Sequence, residues 1–418
     1  MTAEAVRTQT PALWFSTLTS RIDPAYRERA LVSGHDVYLR DVSGREYLDA
    51  RSMLWNAALG YGYRPVADAI TRQLQQLGVG QMIRFEQPPQ IALDYAERLV
   101  AALPEHITQV RFCTTGAQAV EAAVMLSRFV RRPDEPHRRD VIALWDSYHG
   151  IGGLASGLTG EKPLHAIEGR TLSDVHHVAA GDIEALLDTI ERVGAQRITA
   201  VLLEPILGTG FVELPESYLR QVQNACRKFG IHLIVDEVTT GFGRTGSLTV
   251  SGRLGLEPDM ILLSKGITAG YMPLSAIAVN REIATRALDS DVVFPHGSTC
   301  DGHPLALAAA DAVLTAFADG KIFGNVIDRG AQLTTAVQKL ATELPIITGV
   351  HGRGLMIAVE LAGTGGATMT AIKDACRDNG LLVALCGDLV LLTPPLVITA
   401  ADVDTLTDRL AAGLRAVA

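Results

Sequence analysis

Met260-Ile261-Leu262-Leu263-Ser264-Lys265 is an apolar run of strand length that ends on a lysine, and Ile231-His232-Leu233-Ile234-Val235-Asp236 is a second that ends on an aspartate. Runs of this kind, without strict alternation, suit strands covered on both faces, as in parallel sheets. In an open α/β sheet, ligands gather outside the carboxyl ends of the strands, so both end residues are placed for chemistry on one edge. Of the six lysines, Lys162 falls in a polar loop, and Lys228, Lys321, Lys339 and Lys373 fall on solvent-facing helical patterns. Lys265 alone reads as desolvated, and desolvation moves an ammonium towards the free amine that attacks a carbonyl.

Outward from these two runs, strand-length apolar stretches alternate with helical patterns from about residue 90 to 290: Val110 to Cys113, Val141 to Trp145, Ile198 to Leu203, and Leu274 to Val279. That alternation predicts an α/β fold with a mostly parallel sheet and helices on both faces. Upstream, Val37-Tyr38-Leu39 and Glu46-Tyr47-Leu48 flank Val42-Ser43-Gly44 as a hairpin. A helix then starts at Pro65, carries the stripe Val66, Ala69, Ile70, Leu74, Leu77, and closes at Gly78. Past a long helical stretch from Pro304, a smaller α/β lobe follows. It reads as a strand at Gly354 to Leu361, a helix at Ala367 to Asn379, strands at Leu381 to Leu385 and Leu389 to Leu392, and a closing helix. The expected division is residues 1–62 as an N-terminal segment packing with the small domain, 63–303 as the large domain, and 304–418 as the small domain with its connecting helix.

A length of 418 residues with 48% hydrophobic and 20% charged residues describes an ordinary globular protein of about two or three domains. A net charge of −9 argues against a nucleic-acid surface. The apolar runs fall far short of the roughly 20 residues that span a membrane, and the start of the chain lacks a secretory pattern. Five cysteines without a CxxC pair fit reduced thiols in the cytoplasm and speak against a metal site or a catalytic thiol.

Thr114-Thr115-Gly116-Ala117 joins a strand to a helix, so unpaired N–H groups and the helix dipole converge on one spot suited to a phosphate. Tyr148-His149-Gly150 follows another strand and offers an aromatic face for a flat cofactor. A carboxylate opposite a lysine that forms a Schiff base suggests pyridoxal 5′-phosphate, whose ring nitrogen must stay protonated for the ring to draw electrons. Each piece alone has a plainer reading: a lysine whose stem covers apolar surface, a turn-forming aspartate, a tyrosine capping the sheet.

Together, Asp236-Glu237-Val238-Thr239-Thr240-Gly241-Phe242-Gly243-Arg244-Thr245-Gly246, Ser264-Lys265-Gly266, His296-Gly297-Ser298-Thr299 and Gly302-His303-Pro304 resemble the class III pyridoxal-phosphate-dependent aminotransferases, a group that includes diaminopelargonate synthases and omega-aminotransferases. The resemblance implies the fold type I architecture, with a seven-stranded-type large sheet, and a homodimer with shared active sites. It implies ping-pong transfer of an amino group from an amine or amino-acid donor to an aldehyde or ketone. Lys265 is then the residue that forms the Schiff base and shuttles the proton, with Asp236 on the ring nitrogen. Val238 and Tyr148 take the two ring faces, and Thr115, Gly116 and Ala117 hold the phosphate. Ser298 and Thr299 reach it from the partner subunit, and Glu204 supports the site from behind. Leu54, Trp55, Tyr148, Gly297 and Leu391 fall on the substrate side.

The chain also departs from the pattern. Many relatives carry an arginine before the C-terminal Pro-Pro-Leu, which grips a substrate carboxylate, and the matching position here is Leu391. Thr209 stands where relatives acting on ornithine or γ-aminobutyrate have a gating glutamate; Thr239 and Gln118 replace a frequent glutamine and glutamate. An acceptor without a carboxylate beside its carbonyl is therefore expected, since burying a carboxylate unpaired is costly. Arg84, Arg244 and Arg353 are the candidates for meeting a donor carboxylate. An aminomutase or decarboxylase on the same scaffold is the alternative reading, and a non-enzymatic cofactor-binding protein is a further one.

Overall fold

The structure, a computed structural model, describes residues 27–82, 87–168 and 172–417. Arg84 lies outside the described residues. The large sheet contains β4 (Ile107–Cys113), β5 (Asp140–Leu144), β6 (Val175–Val178), β7 (Ile198–Leu203), β8 (His232–Asp236), β9 (Met260–Leu263) and β10 (Ser275–Asn280). Their order is β4-β10-β9-β8-β7-β5-β6, parallel throughout except for β10, which runs antiparallel to both neighbours.

The unbroken apolar runs have a direct packing cause. Met260 and Leu262 of β9 face helix Gly116–Arg131 with its buried Ala119, Val120 and Ala123, while Ile261 and Leu263 face helix Pro304–Phe317 with Ala306, Leu307 and Ala310. Both faces of the strand are thus dry, and each fully buried Leu or Ile contributes roughly 1.5–3 kcal/mol. The alanine-rich helix faces let both helices lie close to the sheet.

Two smaller sheets complete the fold. One joins β1 (Leu31–His35), β2 (Tyr38–Asp41) and β3 (Glu46–Asp49) to β13 (Leu381–Leu382), which runs parallel to β3. The other has the order β11 (Ile347–Arg353), β12 (Met356–Leu361), β15 (Leu389–Leu392), β14 (Ala384–Cys386). The expected strand Leu381 to Leu385 is therefore two strands in two sheets, divided at Val383, and this split ties the N-terminal strands to the C-terminal part of the chain.

Other expectations also shift. The edge strand β6 reads Val175-His176-His177-Val178, too short and polar for an apolar-run signal, and β11 is interrupted by two glycines. The long stretch from Pro304 is two helices, Pro304–Phe317 and Lys321–Glu343, broken at Gly320, whose φ of 72° a residue with a side chain rarely adopts. Lys162 opens a short helix, Lys162–Glu168, with its ammonium 5.2 Å from the centre of the Trp145 ring. Helix Arg64–Leu77 carries Pro65 in its first turn, yet Gly78 keeps a right-handed φ of −76°. Of its stripe Val66 is buried, but Leu74 is 59% exposed and Leu77 47%. Among the described residues no helix is long and apolar enough to cross a membrane.

Candidate active site

The carboxyl ends of β4, β5, β8 and β9 open on a cavity of about 390 Å³. Its anion-binding end is the start of helix Gly116–Arg131. Thr115 caps that helix, its Oγ1 accepting from Gln118 N at 3.2 Å, while its carbonyl accepts from Ser275 Oγ at 2.8 Å. The amides of Gly116 and Ala117 belong to the first turn, where N–H groups have no acceptor within the helix. The backbone has been brought close here. A Cβ on Gly116 would come within 3.3 Å of Val238 Cγ1, and one on Gly150, at φ 111°, would come within 2.6 Å of Ala117 Cβ.

Asp236 forms the floor. Its Oδ1 accepts from Val238 N at 3.0 Å, and its Oδ2 lies 2.8 Å from His149 Nδ1. An ionised carboxylate can only accept, so Nδ1 carries the proton of that pair. Both side chains are buried. His149 is the functional residue that the sequence reading passed over; the signal was its place beside Tyr148 at a strand end. Glu237 points the opposite way, as strand alternation requires. Its carboxylate accepts from Val250 N at 2.6 Å and Ser251 N at 2.8 Å, which ties down the helix Val250–Leu254, so it is a fold-holding residue and not part of the cavity.

Glu204, buried after β7, accepts from Tyr148 N at 2.8 Å and from Gly208 N at 2.9 Å. Burial pushes its carboxyl up, and the charge of Asp236 adds to this, against the pull of His149 and the two N–H groups. Lys265 stands opposite, with a left-handed φ of 44° at the end of β9. Its ammonium donates to Thr239 Oγ1 at 2.8 Å and lies 4.5 Å from the centre of the Trp55 ring. Burial lowers its pKa, helped by the charge of Arg244, while Asp236 and Glu204 oppose the fall. Thr239 fills the glutamine position noted above and holds the amine.

This donor set fits pyridoxal 5′-phosphate: unpaired helix N–H groups for its phosphate, a buried carboxylate for its ring nitrogen, an aromatic and a branched side chain for its faces, and a buried amine for its aldehyde. Thr115, Gly116, Ala117, Tyr148, His149, Asp236, Val238 and Lys265 all line the one cavity.

The remaining candidates are placed elsewhere. Gly297 and Thr299 are exposed and Ser298 half-buried in the loop after Val293, outside the cavity of their own chain. Asp301 fixes that loop, accepting from Ser298 N at 2.9 Å and from Thr114 Oγ1 at 3.1 Å. Leu54 is 60% exposed and does not line the cavity, whereas Trp55 packs edge-on against Phe211, ring centres 5.3 Å apart. Leu391 is 3% exposed in a cluster with Ile206, Phe211, Met356 and Ala358, against which Trp55 packs. Arg244 is buried and donates to the carbonyls of Leu355 at 3.0 Å and Pro394 at 2.6 Å; burial lowers its pKa to about 9. Arg353 pairs with Glu213 at 2.6 Å.

The family model described as aminotransferase class-III matches residues 23–414. The acetylornithine aminotransferase of Mycobacterium tuberculosis is 36% identical over 385 residues, 90% of this chain and 89% of that protein. The omega-aminotransferase of Caulobacter vibrioides is 29% identical, covering 91% of this chain and 92% of its own. Among solved structures, an amine transaminase from an uncultivated Pseudomonas species, in its PLP-bound form, superposes with a TM-score of 0.93 at 30% identity over 98% of this chain and 99% of that one. These relatives are all aminotransferases, and the mutase and decarboxylase readings find no support among them.

Proposed function

The chain belongs to the class-III aminotransferases, enzymes that move amino groups with pyridoxal 5′-phosphate, and on that premise we propose that its principal acceptor is an aldehyde or ketone with no carboxylate beside the carbonyl. The observation that carries this is Leu391. At the position where relatives place an arginine, the chain buries a leucine among apolar side chains. Of the other candidate cations, Arg244 is committed to two carbonyls and Arg353 to Glu213. Among the described residues, a keto-acid carboxylate on that wall would lose its water without gaining a partner.

When bound, the cofactor supplies an electron sink for charge developing at the substrate carbon. The chain's own residues do the rest. Asp236, held by His149, keeps a proton on the ring nitrogen, since a buried carboxylate favours its cationic partner. Gly116 and Ala117 would hold the phosphate by N–H groups, Tyr148 and Val238 would cover the two ring faces, and Lys265 Nζ would meet the aldehyde. Lys265 would hold the cofactor's aldehyde end through Nζ, and the same nitrogen would accept and return a proton. The depressed pKa of this amine supports that part, because a base poised near neutrality is free to accept a proton. Thr239 Oγ1 holds Nζ in place.

Ser298 and Thr299 serve the partner's phosphate in a homodimer. Two features support this: their placement outside their own chain's cavity, and the apolar surface left by Leu74, Leu77 and Val79. A reducing, cytoplasmic setting suits five free cysteines. A screen of acceptors against a fixed amine donor tests the reading. Aldehydes or ketones are expected to exceed α-keto acids in kcat/KM, and a clear preference for α-keto acids would overturn it.

A further inference from the structure

A second hollow, of about 240 Å³, lies between the N-terminal strands and helix Gly366–Asp378, and none of its lining residues belongs to the cofactor cavity. Four cationic side chains line it, Arg29, Arg51, Lys373 and Arg377, and no acidic one does, in a chain whose net charge is −9. Their meeting is built into the fold. Arg51 follows β3, and β3 pairs with β13 just beyond the helix, Leu48 N donating to Gly380 O and Ala50 N to Leu382 O, both at 2.9 Å. Lys373 and Arg377 stand four residues apart, so one helical face presents both, and like charges at that spacing repel.

Two of the arginines are held by carboxylates that lie outside the lining. Arg51 Nε donates to the buried Asp49 Oδ1 at 3.1 Å, which leaves both of its terminal nitrogens without a partner among the described residues. Arg377 donates from Nη1 to Asp374 Oδ1 at 2.5 Å, and from Nη2 and Nε to Asp378 Oδ1 at 3.2 and 3.3 Å, so each terminal nitrogen keeps a second N–H. Lys373 is exposed and has no partner among the described residues. A guanidinium already fixed by one carboxylate loses little freedom when it donates to a further acceptor. Spare N–H groups from three side chains thus share one small hollow. A carboxylate has two oxygens in one plane and fills a single fork. A phosphate offers three oxygens in three dimensions and close to two charges at neutral pH, and can accept from several donors at once.

We propose that this hollow binds a small molecule through its phosphate groups, with Arg51, Lys373 and Arg377 as the ligating side chains and Arg29 adding to the field. It is separate from the cofactor's own phosphate site at Gly116 and Ala117.

Calorimetric titration of the holoenzyme, in which that cofactor site is filled, tests this with pyrophosphate, ADP and citrate at matched ionic strength. Pyrophosphate and ADP are expected to bind saturably, one per chain, with Kd below about 1 mM. Citrate is expected to bind at least about tenfold more weakly, lacking the tetrahedral group. ADP binding more tightly than pyrophosphate points to a nucleotide and equal binding to the phosphates alone; either supports the site. Lys373→Gln and Arg377→Gln are each expected to raise the pyrophosphate Kd about tenfold, the range of a hydrogen bond to a charged group. The exposed, unpaired Lys373 can be changed without disturbing the fold, so its variant decides the matter even if Arg377→Gln fails to fold. Lys321→Gln removes the same charge from another helix, where the lysine is paired with Asp319, and is expected to leave the Kd unchanged. Absence of saturable binding, equal affinity for citrate, a Kd unchanged in Lys373→Gln, or an equal loss in Lys321→Gln overturns the proposal.

Discussion

The cavity and the apolar cluster that Trp55 joins to it are built on different plans. The cofactor side takes its residues from strand ends, in short segments at 115–117, 148–150, 236–238 and 264–265, and fixes them with main-chain hydrogen bonds and buried carboxylates. The apolar cluster next to it, the proposed substrate side, takes Trp55, Phe211 and Leu391 from segments far apart in the chain and holds them by packing. Its backbone is contorted at Ser52, Met53 and Trp55, with φ of 47°, 61° and 67°. One side must fit a single rigid molecule, so polar partners are fully specified. The cluster has no fixed polar partners, and packing alone leaves its composition free to differ.

The difference can be broken most sharply at Lys265. Lys265→Ala is expected to cut turnover by about three orders of magnitude or more, as loss of the proton-transferring group requires, and to abolish borohydride labelling at that position. Thermal stability should hold, because the side chain is replaced by a smaller one in a cavity. Labelling that persists elsewhere would move the chemistry to another amine.

On the substrate side, Leu391→Ala opens a void in a tight cluster and is expected to cost about 2–5 kcal/mol in urea unfolding. Cofactor affinity, read from titration of the apoprotein, should change little. A large loss of cofactor affinity would mean that the two sides are one unit. His149→Phe is the converse change. It removes one partner of Asp236 at similar volume and is expected to weaken cofactor binding by about ten- to a hundredfold, the range of about 1.5–3 kcal/mol for hydrogen bonds to charged groups. The pH at which the bound chromophore titrates should shift as well, which a loss of packing alone would not cause.

A different test, of stability and not of cofactor binding, concerns the far end of β8. His232, at its amino end, is buried against Ser127 Oγ at 2.8 Å, and burial, reinforced by Arg131, lowers its pKa from 6.5 to about 3. Between those values the unfolded chain binds a proton that the folded chain refuses. Stability from this group is complete above about pH 6.5 and falls as pH drops through the window, by up to about 1.4 kcal/mol per pH unit. Urea titrations of His232→Asn at pH 7, 5.5 and 4.5 should show a shallower decline than the parent. An unchanged slope would mean that the folded protein already carries a charge there.

Legibility in the sequence followed the same division. Strands β7 and β9 coincide with the apolar runs Ile198 to Leu203 and Met260 to Leu263, because both faces of each strand are buried and every position is constrained. β6 and β11 escaped because histidines and glycines interrupt them. Leu74 and Leu77 fit a helical stripe, yet periodicity reports only that a face is apolar and not what covers it. At the site, the lysine, the aspartate and the helix-start turn were legible because each follows a strand, whereas the only local signal of His149 is its place beside Tyr148 after β5.

The sequence by itself determined the sheet, the strand ends and the residue types gathered on its edge, since these follow from runs of neighbouring side chains. Only the tertiary structure decided that His149 meets Asp236 across 87 residues, that Glu161 meets Thr209 across 48, and that Leu391 closes against Phe211. Local preference acts over a few bonds, while these distances are set by how helices and loops pack once the sheet has formed, and hydrogen bonds a few tenths of an ångström wide depend on that packing.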